Sequence, residues 1–463
     1  MTEHTNAKAG PVDRAGPYLA GLAVTVGGLR RLGPNAVQGI GLEWLLAPLL
    51  LALVGIAAVR ARPWAARSVE TIVRSHPALA LLVLADVTWT AIAATWSSVP
   101  LRGWAEVARS ILTVASIGVF VVLWCETKSA RRFCRTILML GSAIGVLGVA
   151  GAVASHWGVR SPFIESAPHS EWHGWARATG PAGTPATFAA SMLGVAGVAL
   201  LARERGFIGA GWSRLCIAVA AASGLASVSI PGVGCMALGL WSVLSPRYPR
   251  LATVLVVAFV LAASGVIYVH VHSMGVGEHR WERAPEAGYH PRGRALHPMR
   301  TSALGPWSAQ WHWTGYARIH RAHLRTSYAH PGGLGTGSFV LVDTGPTLRT
   351  NGQWSRQGHP HAWVLMRGSE GGVVGLAIAL ALWLAGLSEC LRVAWTDRGP
   401  GRSIERAGPV VAVAMFLWAS WFGDFLHRWD VSLLVAGATF SAWARSRGAS
   451  TRVTANPAQQ PTA

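Results

Sequence analysis

The sequence predicts an all-α integral membrane protein of about twelve transmembrane helices, with one large extracytoplasmic loop between the ninth and the tenth. Three observations carry this reading. Of 463 residues, 51% are hydrophobic and only 13% are charged, and the mean hydropathy is +0.37. The apolar residues fall in runs of the length a helix needs to cross a hydrocarbon core, about 20 residues. Finally, 40 Lys and Arg stand against 20 acids, and most of the cations cluster in short segments between apolar runs, as the positive-inside rule requires. A basic balance of this kind is a topology signal, and no nucleic-acid partner is expected.

The apolar windows bounded by Arg, Pro or Gly run, in order, over 17–29, 37–59, 77–95, 104–124, 134–154, 185–202, 214–229, 231–245, 251–270, 371–393, 408–426 and 430–445. Pro231 separates the seventh from the eighth, with one broken helix as the alternative. With the N-terminus inside, the inner segments hold 22 Lys and Arg; outside the large loop the outer side holds seven. Both termini are therefore expected in the cytoplasm. The chain divides into a cytoplasmic tail (1–16), helices one to nine (17–270), the large loop (271–370), helices ten to twelve (371–445) and a disordered cytoplasmic tail (446–463). Many of the 23 tryptophans lie at span ends, Trp104, Trp124 and Trp241 among them, where indole rings favour the interface. The five cysteines lie in or beside apolar runs and include no CxxC, so neither a disulfide framework nor a thiolate metal site is expected. The first apolar run lacks a basic flank and a small-residue cleavage site, so a retained N-terminus is expected.

The large loop is built to meet an anion or an anionic surface. Eleven of the 17 histidines lie between His270 and His361, eleven arginines lie between Arg280 and Arg367, and no acid occurs from Ala287 to Val342. Long extracytoplasmic domains translocate largely regardless of charge, so these cations do not contradict the topology. A solvated basic surface facing anionic lipid or polysaccharide is one reading of them. Arg318, Arg321 and Arg325 have the spacing that lines up one helical face, and such a ridge can clamp phosphate oxygens. After it comes His330–Phe339, HPGGLGTGSF, whose amides can serve either an anion or a simple turn. Mg²⁺ and Mn²⁺ sites want carboxylate oxygens, which this loop almost lacks, so no metal or other cofactor is expected. Of the acids within apolar windows, Glu106 has Arg109 one turn away, whereas Asp86 has no partner legible in the sequence.

Three stretches resemble the superfamily of O-antigen ligases and O-antigen polymerases. These are His359-Pro360-His361 with Glu370, Gly372 and Gly375; Arg318 followed by His330–Phe339; and Arg177–Ala189. The resemblance covers about Arg177 to Leu384. It implies a membrane glycosyltransferase whose donor is an undecaprenyl-pyrophosphate-linked glycan and whose acceptor is a sugar hydroxyl, on a glycan or a lipid A-core-like glycolipid. It implies His361 as general base, with His359 beside it or binding acceptor. Arg177 and Arg318 fall on the pyrophosphate, with Arg321, Arg325 and Glu370 as further substrate-binding candidates. The chain departs from the family pattern at Thr184, Ala186, Ala362 and Met366, each where the family has an amide side chain. It departs also at Ser229-Ile230-Pro231-Gly232, where the family has Arg in place of Ile230. A transporter or flippase of lipid-linked sugars, and a catalytically degenerate homologue acting in envelope polysaccharide assembly, are the alternatives.

Overall fold

The computed structural model describes residues 76–155, 171–266, 315–342 and 362–396 apart from short interruptions, together with short segments near 15–19, 70–74, 157–159, 346–348 and 354–356. The windows 37–59, 408–426 and 430–445, most of 17–29, and both His359 and His361 lie outside the described residues. Within them the protein is helical: α1 Pro77–Ala94, α2 Pro100–Cys125, α3 Thr127–Ser155, α4 Pro185–Glu204, α5 Ala210–Ser227, α6 Ile230–Leu244, α7 Pro249–Val266, α8 Gly315–Ala329 and α9 Trp363–Thr396. Two short antiparallel ladders join Glu171–Trp172 to Trp175–Ala176 and Pro346–Leu348 to Trp354–Arg356. Four helical segments are long and apolar enough to cross a membrane: Pro77–Ala94, Lys128–Ser155, Pro185–Arg203 and Trp363–Ser388. The apolar runs called from composition are thus helices wherever they fall on described residues.

Local chemistry explains where several of these helices begin and end. Proline opens α1, a position where its missing N–H would have had no intrahelical partner. The α5–α6 junction decides the question left open at Pro231, because Val228 turns into the left-handed region (φ 42°) and Ser229 caps α6 by accepting from the Gly232 amide at 3.3 Å. These are two helices folded back on each other. Gly224 and Gly232 face one another across the pair, and a Cβ on either would strike the other's backbone. Such small-residue contacts let membrane helices approach closely. The apolar window of α4 is 89% buried and forms the centre of the bundle made with α3, α5 and α6.

One element differs from a simple span. Helix α9 is broken at Gly372 (φ 64°, ψ −153°), and its two arms fold back along each other. A Cβ on Gly375 would strike the Arg367 carbonyl, and one on Gly368 would touch Leu376 at 3.1 Å. Residues eight apart in a straight helix are separated by about 12 Å, so these contacts require a sharp reversal. Trp363, Val364 and Met366 of the first arm pack with Leu376, Ala379, Leu382 and Trp383 of the second. The uninterrupted part of α9 is therefore its second arm, 373–396, about 36 Å long. Its start agrees with the window placed at 371. A left-handed residue pressed on the Pro331 carbonyl tolerates no side chain. Gly372→Val is expected to destabilise the fold by at least about 2 kcal/mol, seen as a lower unfolding temperature in a fixed detergent. An unchanged temperature would mean the reversal is not held there.

Candidate functional site

The segment from His330 to Phe339 fills the apex of the α9 hairpin. A helix end leaves backbone groups without intrahelical partners, and here the neighbours supply them. The Leu334 amide donates to the Ser369 carbonyl (3.0 Å), Gly335 to Glu370 (2.9 Å), and the Trp89 indole N–H to Gly371 (3.0 Å). The second arm is met in return, the Val373 amide donating to the Pro331 carbonyl at 3.0 Å. Close passage of two backbones explains the glycines: a Cβ on Gly333 would strike the Glu370 carbonyl. The far side of the segment is tied to α1 and the α1–α2 turn. Thr336 Oγ1 donates to the Thr90 carbonyl (2.7 Å), the Thr336 amide to Ala93 (3.2 Å), and Ser97 Oγ to the Thr336 carbonyl (2.7 Å).

Beneath this apex lies a buried charge network. Glu370, 1% exposed, accepts the Gly337 amide on Oε1 at 2.7 Å. Its Oε2 lies 3.6 Å from Arg367 Nη1, within ion-pair range but outside hydrogen-bond geometry. Arg367, 5% exposed, reaches α1 and α2 as well: Nη2 donates to Asp86 Oδ2 (3.2 Å) and Ser110 Oγ (3.1 Å), and Nε stands 3.2 Å from Asp86 Oδ1. One turn of α2 away, Arg109 holds both oxygens of Glu106 at 2.9 and 3.1 Å. Asp86 thus has the partner its own helix does not offer. Counted from Ala94, it lies roughly 12 Å inside α1, where an ionised side chain is costly unless paired. Such a network fixes the relative positions of α1, α2 and α9.

Helix α8 packs on the first arm through a polar seam. His323 is fully buried, its Nδ1 2.9 Å from Ser369 Oγ. Ser369 Oγ donates its one proton to the Met366 carbonyl at 3.0 Å. Arg321 and Arg325 lie on the opposite, exposed face. Arg318 is on the same helix, with its side chain outside the described residues.

Arg177 is positioned by different elements. Its Nε donates to the Ser227 carbonyl at 2.9 Å, and the next amide, Ala178, donates to Ala226 at 2.8 Å. The guanidinium therefore sits at the C-terminal end of α5, where carbonyls lack partners and a cation is favoured. This is the turn that leads into Ser229–Gly232. Ala362 and Met366, the apolar departures, are both buried, Met366 within the hairpin's apolar cluster.

Glu370 and the His330–Phe339 motif are thus brought together, and Arg321 and Arg325 share a helix packed beside them. Sequence reasoning missed Arg367 as the partner of Asp86, and it missed Trp89. An unpaired acid on a membrane helix was the one available signal, since it requires a cation from another element. No protein-family model matches this chain, and no curated protein matches it.

Proposed function

We propose that the protein is an envelope glycosyltransferase of the bacterial inner membrane, moving a glycan from an undecaprenyl-pyrophosphate donor to an acceptor hydroxyl. The observation that carries this reading is the interlock of two family-like motifs distant in sequence, His330–Phe339 and the Glu370–Gly375 end of the His359 stretch. In this reading the acceptor oxygen gives its proton to His361 and bonds to the anomeric carbon. The bond from that carbon to the pyrophosphate oxygen breaks, the lipid pyrophosphate leaves with the electron pair, and configuration inverts. Histidine has an unperturbed pKa near 6.5 and suits the base at neutral pH. Arg177 and Arg318 neutralise the leaving pyrophosphate, since fixed cations in a partly dry site stabilise developing charge. Arg177 stands at the α5–α6 turn and supplies there the cation that Ile230 does not. Glu370, its oxygens turned to Gly337 and Arg367, acts by holding the 330–339 segment in place.

The transporter reading draws less support. Transporters with broken helices use the freed backbone groups to bind substrate or ion, and here Leu334, Gly335, Trp89 and Pro331 occupy them. Purified protein given a lipid-pyrophosphate oligosaccharide and acceptor sugars should release free undecaprenyl pyrophosphate with EDTA present. Movement of the donor across liposomes without cleavage would establish the transporter instead, and neither activity would mark a degenerate homologue. The proposed topology has twelve spans, cytoplasmic termini and the 271–370 loop outside. A cysteine near Ser302 should then react with an impermeant thiol reagent on intact spheroplasts, and one near Gly401 should not; the reverse pattern would refute it.

A further inference from the structure

We infer that the outer stripe of α8, formed by Arg321, Arg325 and Tyr328, is a docking surface for the phosphodiester headgroups of anionic phospholipid. The proposal rests only on the protein being embedded in a membrane, and it is independent of any glycosyl transfer. The helix presents two faces of opposite use. His323 and Ser327, both 0% exposed, are pressed on the first arm of α9. Arg321, Arg325 and Tyr328 follow at i, i+4 and i+7, which places them on one stripe, and all three are exposed, Tyr328 by 65%. Among the described residues neither guanidinium lies within ion-pair distance of a carboxylate, and the sequence offers no acid from Ala287 to Val342. The two arginines have Cβ atoms about 6 Å apart on one helix, and among the described residues no anion is paired with them.

Its height relative to the bilayer is set by the neighbouring contacts. Helix α8 runs directly into the 330–339 segment, which is bonded to the α1–α2 turn through Ser97. Around that turn Trp96, Leu101 and Trp104 are exposed by 42, 83 and 51%. Exposed tryptophans at the ends of apolar helices mark the water-lipid boundary. The C-terminal end of the stripe, at Tyr328, is therefore tied close to headgroup level, where an exposed phenol keeps its ring in the boundary and its hydroxyl in water. Guanidinium groups bind phosphate by paired charge-assisted bonds, and the exposed Val373 and Val374 at the hairpin apex offer acyl chains an apolar surface nearby. A phosphodiester carried on a lipid satisfies both. A soluble phosphate satisfies only the arginines.

The test uses the full chain carrying Ala329→Cys, an exposed position beside the stripe, labelled with an environment-sensitive fluorophore in nanodiscs of phosphatidylcholine. Quenching is compared between phosphatidylglycerol and phosphatidylcholine, each spin-labelled near its headgroup. Lipid near the label should be enriched in phosphatidylglycerol by roughly fivefold or more, on the scale of one surface arginine. Arg321→Gln/Arg325→Gln should remove the preference while leaving the unfolding temperature unchanged, raised salt should weaken it, and the double Lys variant should keep part of it. Equal quenching by the two lipids, or none by either, would overturn the proposal without touching the transfer reaction. Loss of the preference on adding inorganic pyrophosphate, where chloride at the same ionic strength leaves it in place, would also overturn it, in favour of a soluble phosphate ligand.

Discussion

His361→Ala is expected to lose at least about 10²-fold in turnover, the usual scale of general-base help, while the protein still inserts and still binds lipid pyrophosphate. A base acts on the acceptor hydroxyl in the transition state and holds nothing in the donor complex, so its loss lowers kcat and leaves donor affinity alone. Arg318→Ala should differ, because a cation on the pyrophosphate is felt in the bound donor and more strongly as charge develops. Donor binding and rate should fall together there, and Arg318→Lys should restore only part, since a point charge cannot reproduce a planar fork. The check is single-turnover release of undecaprenyl pyrophosphate beside donor binding. Normal turnover in His361→Ala would remove it as the base and pass the role to His359.

Arg367→Met is expected to cost about 3–5 kcal/mol of stability, the scale seen when one partner of a buried pair is removed. Its side chain, 6% exposed, faces the partly buried Asp86 of α1 and the buried Glu370 of α9. Removing the cation takes from both carboxylates the partner that Arg367 supplies, and Glu370 is left with its charge buried. Asp86→Asn/Arg367→Met should lose clearly less than the sum of its two single variants, because the second change relieves the charge stranded by the first. Unfolding temperature and inactivation half-life in one detergent measure the cycle. Strict additivity would show that the pair does not interact. Turnover of the surviving fraction is expected to fall as well, since the network and the Gly337–Glu370 bond hold the arm that begins just after His361.

Asp86 shows where reading the sequence stops. Its apolar surroundings and lack of a cation at i±3 or i±4 were visible, and they identify a residue needing a partner. That Arg367 answers it, 281 positions away, depends on how α1 and α9 pack, which no local pattern encodes. The glycine-rich segment divides in the same way. Its glycines announced a tight backbone path, and amides turned toward an anion were one of two readings. The anion that meets Gly337 is the protein's own Glu370, and the remaining amides close the ends of a broken helix. The turn at Ser229–Gly232 holds no cation of its own in the sequence, and only the fold brings Arg177 to it from another part of the chain.

By itself the sequence determined the apolar, helical class of the molecule and the places of α1 to α7 and of the second arm of α9. Hydrophobic burial in lipid and helical hydrogen bonding are local, and both are written in runs of about twenty apolar residues with prolines and cap residues at their ends. It also fixed the Glu106–Arg109 pair, one helical turn apart. The tertiary structure alone decided that α9 folds back at Gly372, that the 330–339 segment fills the break, and which charges lie inside. Those outcomes turn on meetings between distant segments, where a few hydrogen bonds and one ion pair in a low-dielectric interior outweigh the tendency of an apolar run to continue as a straight helix.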